Sequence, residues 1–383
     1  MKYFVNNENY LIIIKIFRFI KIYGIRKTLF KVAGRSRGKF KFLKILLSGR
    51  MRNPDIGILG CGQFTFSSVA SVLISKYGNR FLDCFDIDRN ASNSFADFYQ
   101  ISDHSLDSHS FFDNKKIKYV YIASNHASHA DYAIEALSRD MIVYLEKPIA
   151  VSQEQLSRLI DCVAKSKTSI YAGYNRPFSK AILDLRDQAF ENINLPITLN
   201  CFVSAHKLSS DHWYRDKNEG TRICGNAGHW IDLGVHILSW GKLPDQWDIQ
   251  VAYSSLIETD DNFSISLTSS RGDLIVIVMT SRSEPFEGIN ESINFQQGDV
   301  ICKIDDFRFS TIWKNGLLIN KKYNPKDVGH SKAICQPFEE KYSREWDEVV
   351  KSTVLMLHIA DMVKNSEQCS TFSFNDSLSS LSN

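Results

Sequence analysis

One eleven-residue stretch, Met141 to Val151, reads MIVYLEKPIAV and constrains the chain more than any other. Met141, Ile142, Val143, Tyr144 and Leu145 form a compact apolar, partly β-branched run, the pattern of a strand buried on both faces of a parallel sheet. The run ends in Glu146-Lys147-Pro148. Proline cannot donate to a sheet ladder, so the strand stops there. An acid and an amine are thereby delivered to the carboxyl edge of a sheet, where open α/β folds bind ligands. A solvated lysine at a surface strand end has the same local pattern, so the surroundings decide between the two.

Upstream, Asp55 to Gly62 reads DIGILGCG, an apolar strand running into a glycine turn. Gly60 and Gly62 match the first two glycines of a dinucleotide fingerprint, one for a tight turn and one for close backbone approach to a pyrophosphate. Thr65 stands where a third glycine would let a helix pack closely on the sheet. The next strand, Phe81 to Phe85, ends in Asp86, 24 residues after Gly62. That is near the spacing of a carboxylate that accepts from a ribose 2′-hydroxyl. Asp88 is a second candidate, and a helix-capping role competes for either.

Together these pieces resemble the Gfo/Idh/MocA family, named for glucose–fructose oxidoreductase, inositol dehydrogenase and rhizopine catabolism. The matching stretches are GCGQF at Gly60 to Phe64, FDID at Phe85 to Asp88, ASNHASHADYAIEAL at Ala123 to Leu137, YLEKPIAVS at Tyr144 to Ser152 and DHWYRDKNEGTRICGNAGHWIDLGVH at Asp211 to His236. The resemblance runs from about Asn53 to about Val363. The resemblance implies an N-terminal Rossmann domain with a doubly wound parallel sheet, and a C-terminal α+β domain with a large, mostly antiparallel, open-faced sheet. It implies NAD rather than NADP as cofactor and a sugar, cyclitol or nucleotide sugar as substrate. It places Gly60, Gly62, Gln63, Phe64, Asp86, Ser124, Asn125, His129, Glu146 and Lys147 around the cofactor. Tyr174-Asn175-Arg176 resembles the segment where the chain leaves the cofactor domain.

The resemblance admits two registers for the catalytic histidine. In one, NAGHWIDLGVH makes Asp232 and His236 the catalytic pair. In the other, the longer EGTRICGNAGHWID makes His229 the catalytic residue and puts Gly225 where the family carries an aspartate. The longer match is preferred, and Asn226 could then supply a substitute hydrogen bond. His229, Asp232 and His236 sit at i, i+3 and i+7, so one helix face could present all three. Arg176, Lys207, Trp213, Arg222 and Asn226 are the candidate substrate contacts, with surface charge as the competing role for the basic ones.

Oxidising a secondary alcohol needs a hydride acceptor, a base and a cation for the oxygen. Nicotinamide accepts the hydride. Histidine is the default base near neutral pH, and Lys147 would stabilise negative charge developing on oxygen. No metal is required, and none of the eight scattered cysteines forms a CxxC pair or a zinc-spaced set with histidine. Free thiols in a reducing compartment are expected.

Length and charge divide the chain. With 383 residues it exceeds the usual size of a single core. Residues 1–50 hold 13 Lys+Arg and one acid, Glu8, a net charge of +12, whereas the rest carries −9. The expected organisation is a basic amphipathic arm at 1–50, a dinucleotide-binding domain at 51–175, a substrate and oligomerisation domain at 176–363, and a disordered Ser/Asn-rich tail at 364–383. In the arm, Lys15, Arg18 and Lys21 interrupt an apolar run well short of the ~20 residues a membrane span needs. Two roles fit it: a peripheral contact of residues 1–45 with an anionic inner-membrane face, or an extra helix packed on the enzyme or across an oligomer contact. It is too apolar for a nucleic-acid tail. The combined expectation is a cytoplasmic homo-oligomer, dimer or tetramer, acting on a small molecule, with surface polysaccharide biosynthesis as a possible setting. Two alternatives accompany it: an NAD-dependent glycosidase of the same fold, and a non-catalytic nucleotide-binding scaffold.

Overall fold

The computed structural model describes residues 8–255, 257–283 and 288–381. Five parallel strands form the first sheet: β1 (Met51–Leu59), β2 (Asn79–Phe85), β3 (Tyr119–Ile122), β4 (Ile142–Leu145) and β5 (Ile170–Ala172), in the order β2-β1-β3-β4-β5. The β4 residues Val143, Tyr144 and Leu145 are fully buried, as a run without polar alternation requires. Helices Ala70–Tyr77, Arg89–Tyr99, His129–Leu137 and Gln153–Lys165 make the crossovers.

After the 3₁₀ turn Arg176–Phe178 and the helix Lys180–Ala189, the chain builds the second sheet. Its strands are β6 (Ile197–Ser204), β7 (Gln246–Tyr253), β8 (Phe263–Ser269), β9 (Leu274–Thr280), β10 (Asn290–Gln297), β11 (Val300–Asp305), β12 (Phe309–Lys314), β13 (Leu317–Lys322) and β14 (Cys369–Ser373). Their order is β13-β12-β11-β10-β6-β9-β8-β7-β14, antiparallel throughout except between β6 and β9. Burial alternates strictly along β6, β7 and β11. One face packs on the helices Gly228–Leu238 and Trp346–Lys364, and the other leaves Phe202, Ile301 and Trp313 exposed.

The tail differs from expectation. Residues 369–373 pair with β7 as an edge strand, and Phe374–Leu381 is a helix. Phe372 and Phe374 are buried, and Ser157 Oγ donates to the Leu381 carbonyl at 2.8 Å. Two phenylalanines anchor a segment whose Ser/Asn content alone reads as disorder; residues 382 and 383 lie outside the described residues.

The arm forms three helices, α1 (Glu8–Tyr23), α2 (Ile25–Arg35) and α3 (Lys41–Leu47). Phe30, Ala33, Leu43 and Leu47 are buried in the same cluster as the β1 and β2 residues Ile56, Ile58 and Phe81. Each large side chain so buried stabilises by roughly 1.5–3 kcal/mol, so the inner face of the arm belongs to the Rossmann core and the arm is not a free tail. Its outer face keeps Phe17, Phe42, Ile45 and Leu46 exposed. No helix among the described residues is long and apolar enough to cross a membrane.

Candidate active site

The carboxyl edge of the first sheet faces the second lobe across a cavity of about 800 Å³, within the range of small-molecule sites. Gly60 turns there with φ +90°, and a Cβ on it would meet the Ala123 carbonyl oxygen at 2.4 Å. Only glycine lets the β1 turn approach the end of β3 so closely. A Cβ on Gly62 would meet nothing within 4 Å, so backbone is open to the cavity where a pyrophosphate would approach. Thr65 is buried in a π-helical turn, Thr65–Val69, that opens the following helix. The widened turn accommodates a side chain where the fingerprint has its third glycine.

Asp86 ends β2 and lines the cavity. Its Oδ2 accepts from the Cys61 N–H at 2.7 Å and its Oδ1 from the Asp88 N–H at 2.9 Å. Each oxygen keeps a lone pair for a ribose hydroxyl. Asp88 instead caps the next helix, accepting from the Asn90 N–H. Gln63, Phe64, Ser124, Asn125 and His129 line the cavity with it. His129 is buried; its Nδ1 lies 2.7 Å from the Pro148 carbonyl and its Nε2 3.1 Å from that of Ser124. The ring braces the two turns, and burial pushes its pKa down to about 4.

Lys147 leaves β4 and reaches the other lobe, donating from Nζ to the Gly225 carbonyl at 2.8 Å. Gly225 sits in a second π-helical turn, Ile223–Ala227, which leads into the helix carrying His229. Glu146 lines the cavity beside Lys147; burial raises its pKa to about 6 although Tyr144 Oη donates to it at 2.7 Å. His229 also lines the cavity. Its Nδ1 is enclosed and has no hydrogen-bond partner among the described residues, so no neighbour fixes which nitrogen carries the proton. Burial, and then the charges of Arg176 and Lys147, hold its pKa well below the ordinary histidine value. The imidazole is therefore neutral and able to accept a proton at pH 7.

Gly225 replaces the family's aspartate in the preferred register, and the space is filled. A Cβ there would meet Tyr214 at 2.7 Å and His126 at 2.8 Å. His126, Tyr214 and Trp213 pack together, with the His126 ring 4.7 Å from the indole and its Nδ1 donating to the Glu219 carbonyl at 3.0 Å. All three line the cavity, as do Asn226 and Arg176. Arg176 is already paired, bidentate with Glu291 at 2.8 and 3.0 Å, and lies over the Trp230 ring.

Four expected site residues lie outside the cavity lining. Asp232 is buried and accepts both of its bonds from Arg344 at 2.8 Å. His236 pairs with Glu348 at 2.8 Å and accepts from Trp240 Nε1 at 3.2 Å. Seven residues of helix advance about 10 Å, which carries His236 past the site even though it shares a face with His229. Lys207 is exposed. Arg222 is buried and spends its guanidinium on Asp261, the His206 carbonyl and Asn226; it positions Asn226 rather than facing a ligand. Glu258, Asp260 and Asp261 cluster nearby; Arg215 pairs with Glu258 and Asp261, Arg222 pairs with Asp261, and Asp260 accepts from the Arg222 backbone N–H.

Sequence reasoning does not single out His126, Tyr214, Glu291 or His330. His126 lies within the ASNHASH motif, so a signal was present. His330, whose ring is 5.5 Å from that of Phe64, comes from a segment remote in sequence with no local signature. The cavity fits a dinucleotide: an open glycine turn, a carboxylate at the end of β2, and an imidazole with an unpartnered Nδ1 in the same lining as an amine from the opposite lobe.

Comparisons agree with this geometry. Residues 55–174 match the family model described as "Oxidoreductase family, NAD-binding Rossmann fold". A 1-carboxy-3-chloro-3,4-dihydroxycyclohexa-1,5-diene dehydrogenase from Comamonas testosteroni is 25% identical over 236 residues, 56% of this chain and 57% of that one. An inositol 2-dehydrogenase from Salmonella typhimurium is 27% identical over 133 residues, 34% of this chain and 40% of that one. The matches thus span about half the length of these curated relatives. The structure of a levoglucosan dehydrogenase with NADH and levoglucosan superposes with a TM-score of 0.70 at 14% identity, over 84% of this chain and 100% of that one. The motifs and these matches converge on one part of the chain: residues 55–174 carry the NAD-binding Rossmann fold of the Gfo/Idh/MocA oxidoreductase family, and the two-sheet architecture is that of its solved relatives.

Proposed function

We propose that the protein is an NAD-dependent dehydrogenase that oxidises a secondary hydroxyl of a small sugar or cyclitol. The observation that carries this is the convergence of Lys147 and His229, from opposite lobes, on the cavity that also holds Gly60, Gly62 and Asp86. When bound, the nicotinamide would supply the hydride acceptor. Lys147 donates to the substrate oxygen and stabilises the charge that develops there. His229 takes the hydroxyl proton, its neutral form kept by burial and neighbouring cations. Trp213 and Tyr214 supply an apolar wall against which a sugar ring can pack. Asp86 favours NAD, because a carboxylate there accepts from a ribose hydroxyl and repels a 2′-phosphate. The names of the relatives support a polyol. A nucleotide sugar finds less support, since Lys207 is exposed and Arg222 is internally paired.

The test is reduction of NAD and NADP by the full chain across a panel of sugars and cyclitols. Net NADH formation with a polyol is expected, faster with NAD. Turnover of glycosides without net NADH would instead indicate a redox-neutral glycosidase, and tight NADH binding without any turnover a scaffold.

Two surfaces support the accompanying readings of location and assembly. The arm's exposed Phe17, Phe42, Ile45 and Leu46 are interleaved with lysines and arginines, suiting an anionic membrane surface on the cytoplasmic side, where free cysteines persist. This is the only support for a role in surface polysaccharide biosynthesis. The open face of the second sheet, with Phe202, Ile301 and Trp313 exposed, suits a second copy of the chain. The double substitution Phe42→Asp, Ile45→Asp is expected to abolish co-sedimentation with anionic vesicles and leave the sedimentation coefficient unchanged. Trp313→Glu is expected to do the reverse. No vesicle binding by the unaltered chain would contradict the membrane reading, and a monomeric unaltered chain the assembly.

A further inference from the structure

Helix α2 crosses the glycine turn of the Rossmann domain. Arg37 Nη1 donates to the Cys61 carbonyl at 2.9 Å, between the two turn glycines. Gly34 lies against Gln63: a Cβ there would meet Gln63 Nε2 at 2.8 Å. The turn before α2 reaches the second lobe, where the Lys326 N–H donates to the Ile22 carbonyl at 2.8 Å. The arm therefore bridges both lobes beside the cavity, and two of its side chains, Tyr23 and Lys31, form part of the lining.

Lys31 has an unusual setting for a lysine. It is half-buried, and among the described residues no carboxylate pairs with it; its ammonium packs 4.2 Å from the centroid of the Phe19 ring. Burial, with Arg35 and Lys27 adding like charge, lowers its pKa to about 8. A sequestered cation among cations is unfavourable unless an anion joins it. The neighbouring feature of the lining is the turn at Gly62 and Gln63, whose open backbone suits a diphosphate.

We propose that Lys31, supplied by the N-terminal arm, is a ligand of the cofactor diphosphate, so that the arm completes the dinucleotide site. This rests on the reading of the cavity as a dinucleotide site. The arm then has two working faces: one closes the cofactor cleft, and the other is free for the exposed contacts described above. The glycine turn supplies dipoles, Arg37 is held on the Cys61 carbonyl within it, and Lys31 adds a cation that lines the cavity itself.

The full chain and its Lys31→Met and Lys31→Arg variants would be titrated with NADH, NADPH, ADP and adenosine, with melting temperature as the control for folding. Lys31→Met is expected to weaken NADH and ADP about tenfold, the effect of one charge-assisted hydrogen bond, and to leave adenosine unchanged. Lys31→Arg should retain most of the affinity. Equal NADH affinity in the unaltered chain and Lys31→Met would overturn the inference while leaving the cofactor reading intact. A loss confined to NADPH would also overturn it, by moving Lys31 to the ribose 2′-phosphate. Failure of the unaltered chain to bind either dinucleotide would overturn the cofactor reading itself, and the inference with it.

Discussion

Lys147→Met is expected to lower kcat by about 10²–10³-fold, the usual cost of removing one donor aimed at a developing oxyanion. NADH affinity should change little, because the glycine turn and Asp86 hold the other end of the cofactor. The melting temperature reports separately on folding, since the substitution also removes the amine's bond to the Gly225 carbonyl at 2.8 Å. Steady-state kinetics alongside NADH titration separates the effects. A kcat within about threefold of the unaltered enzyme would remove Lys147 from the chemistry.

His229→Gln should cost about 10²–10⁴-fold in kcat, the range for a positioned general base. The pH profile carries the more specific signature. Burial and the charges of Arg176 and Lys147 lower the His229 pKa, so protonation removes the base only below the ordinary histidine value of about 6.5. Activity should therefore persist to lower pH than an unperturbed histidine allows, then fall as the ring protonates. In His229→Gln that acid limb disappears. Any limb from Glu146, whose pKa burial raises to about 6, remains in the variant and so identifies itself. The same change at His236, held by Glu348 and Trp240 away from the cavity, should leave the limb in place. A limb lost with His236 and kept without His229 would reverse the assignment.

The parts of the site legible in the sequence are those that a strand delivers directly to the sheet edge. Gly60, Gly62, Asp86, Glu146 and Lys147 each follow a short apolar run, and a strand's end fixes where the next residue points. The helix residues were less legible. His229, Asp232 and His236 share a helical spacing, but spacing does not reveal that Arg344 and Glu348 stand opposite the latter two. Nor does the sequence show that a π-helical turn sets the start of this helix. Gly225 reads as a missing aspartate, and the rings of Tyr214 and His126 that fill its place become evident only once both lobes are assembled.

The arm and the tail show a different limit. Basic residues between apolar ones describe a helix on a membrane as well as one docked on a domain, because both need an apolar stripe and a charged one. The Ala33-Gly34 pair, small enough for α2 to approach Gln63, is the local hint of docking. In the tail, Phe372 and Phe374 outweigh a polar composition, since two buried rings and a strand pairing offset the ordering of a short segment.

An amine from one lobe and an imidazole from the other are expected to meet over a nicotinamide ring. A crystal structure of the full chain with NADH tests it most directly. The diphosphate is expected over the Gly62 turn and the nicotinamide between Lys147 and His229, with room for a hydroxyl within hydrogen-bond reach of both. A nicotinamide ring outside that space, or a dinucleotide bound away from Gly62, would contradict it.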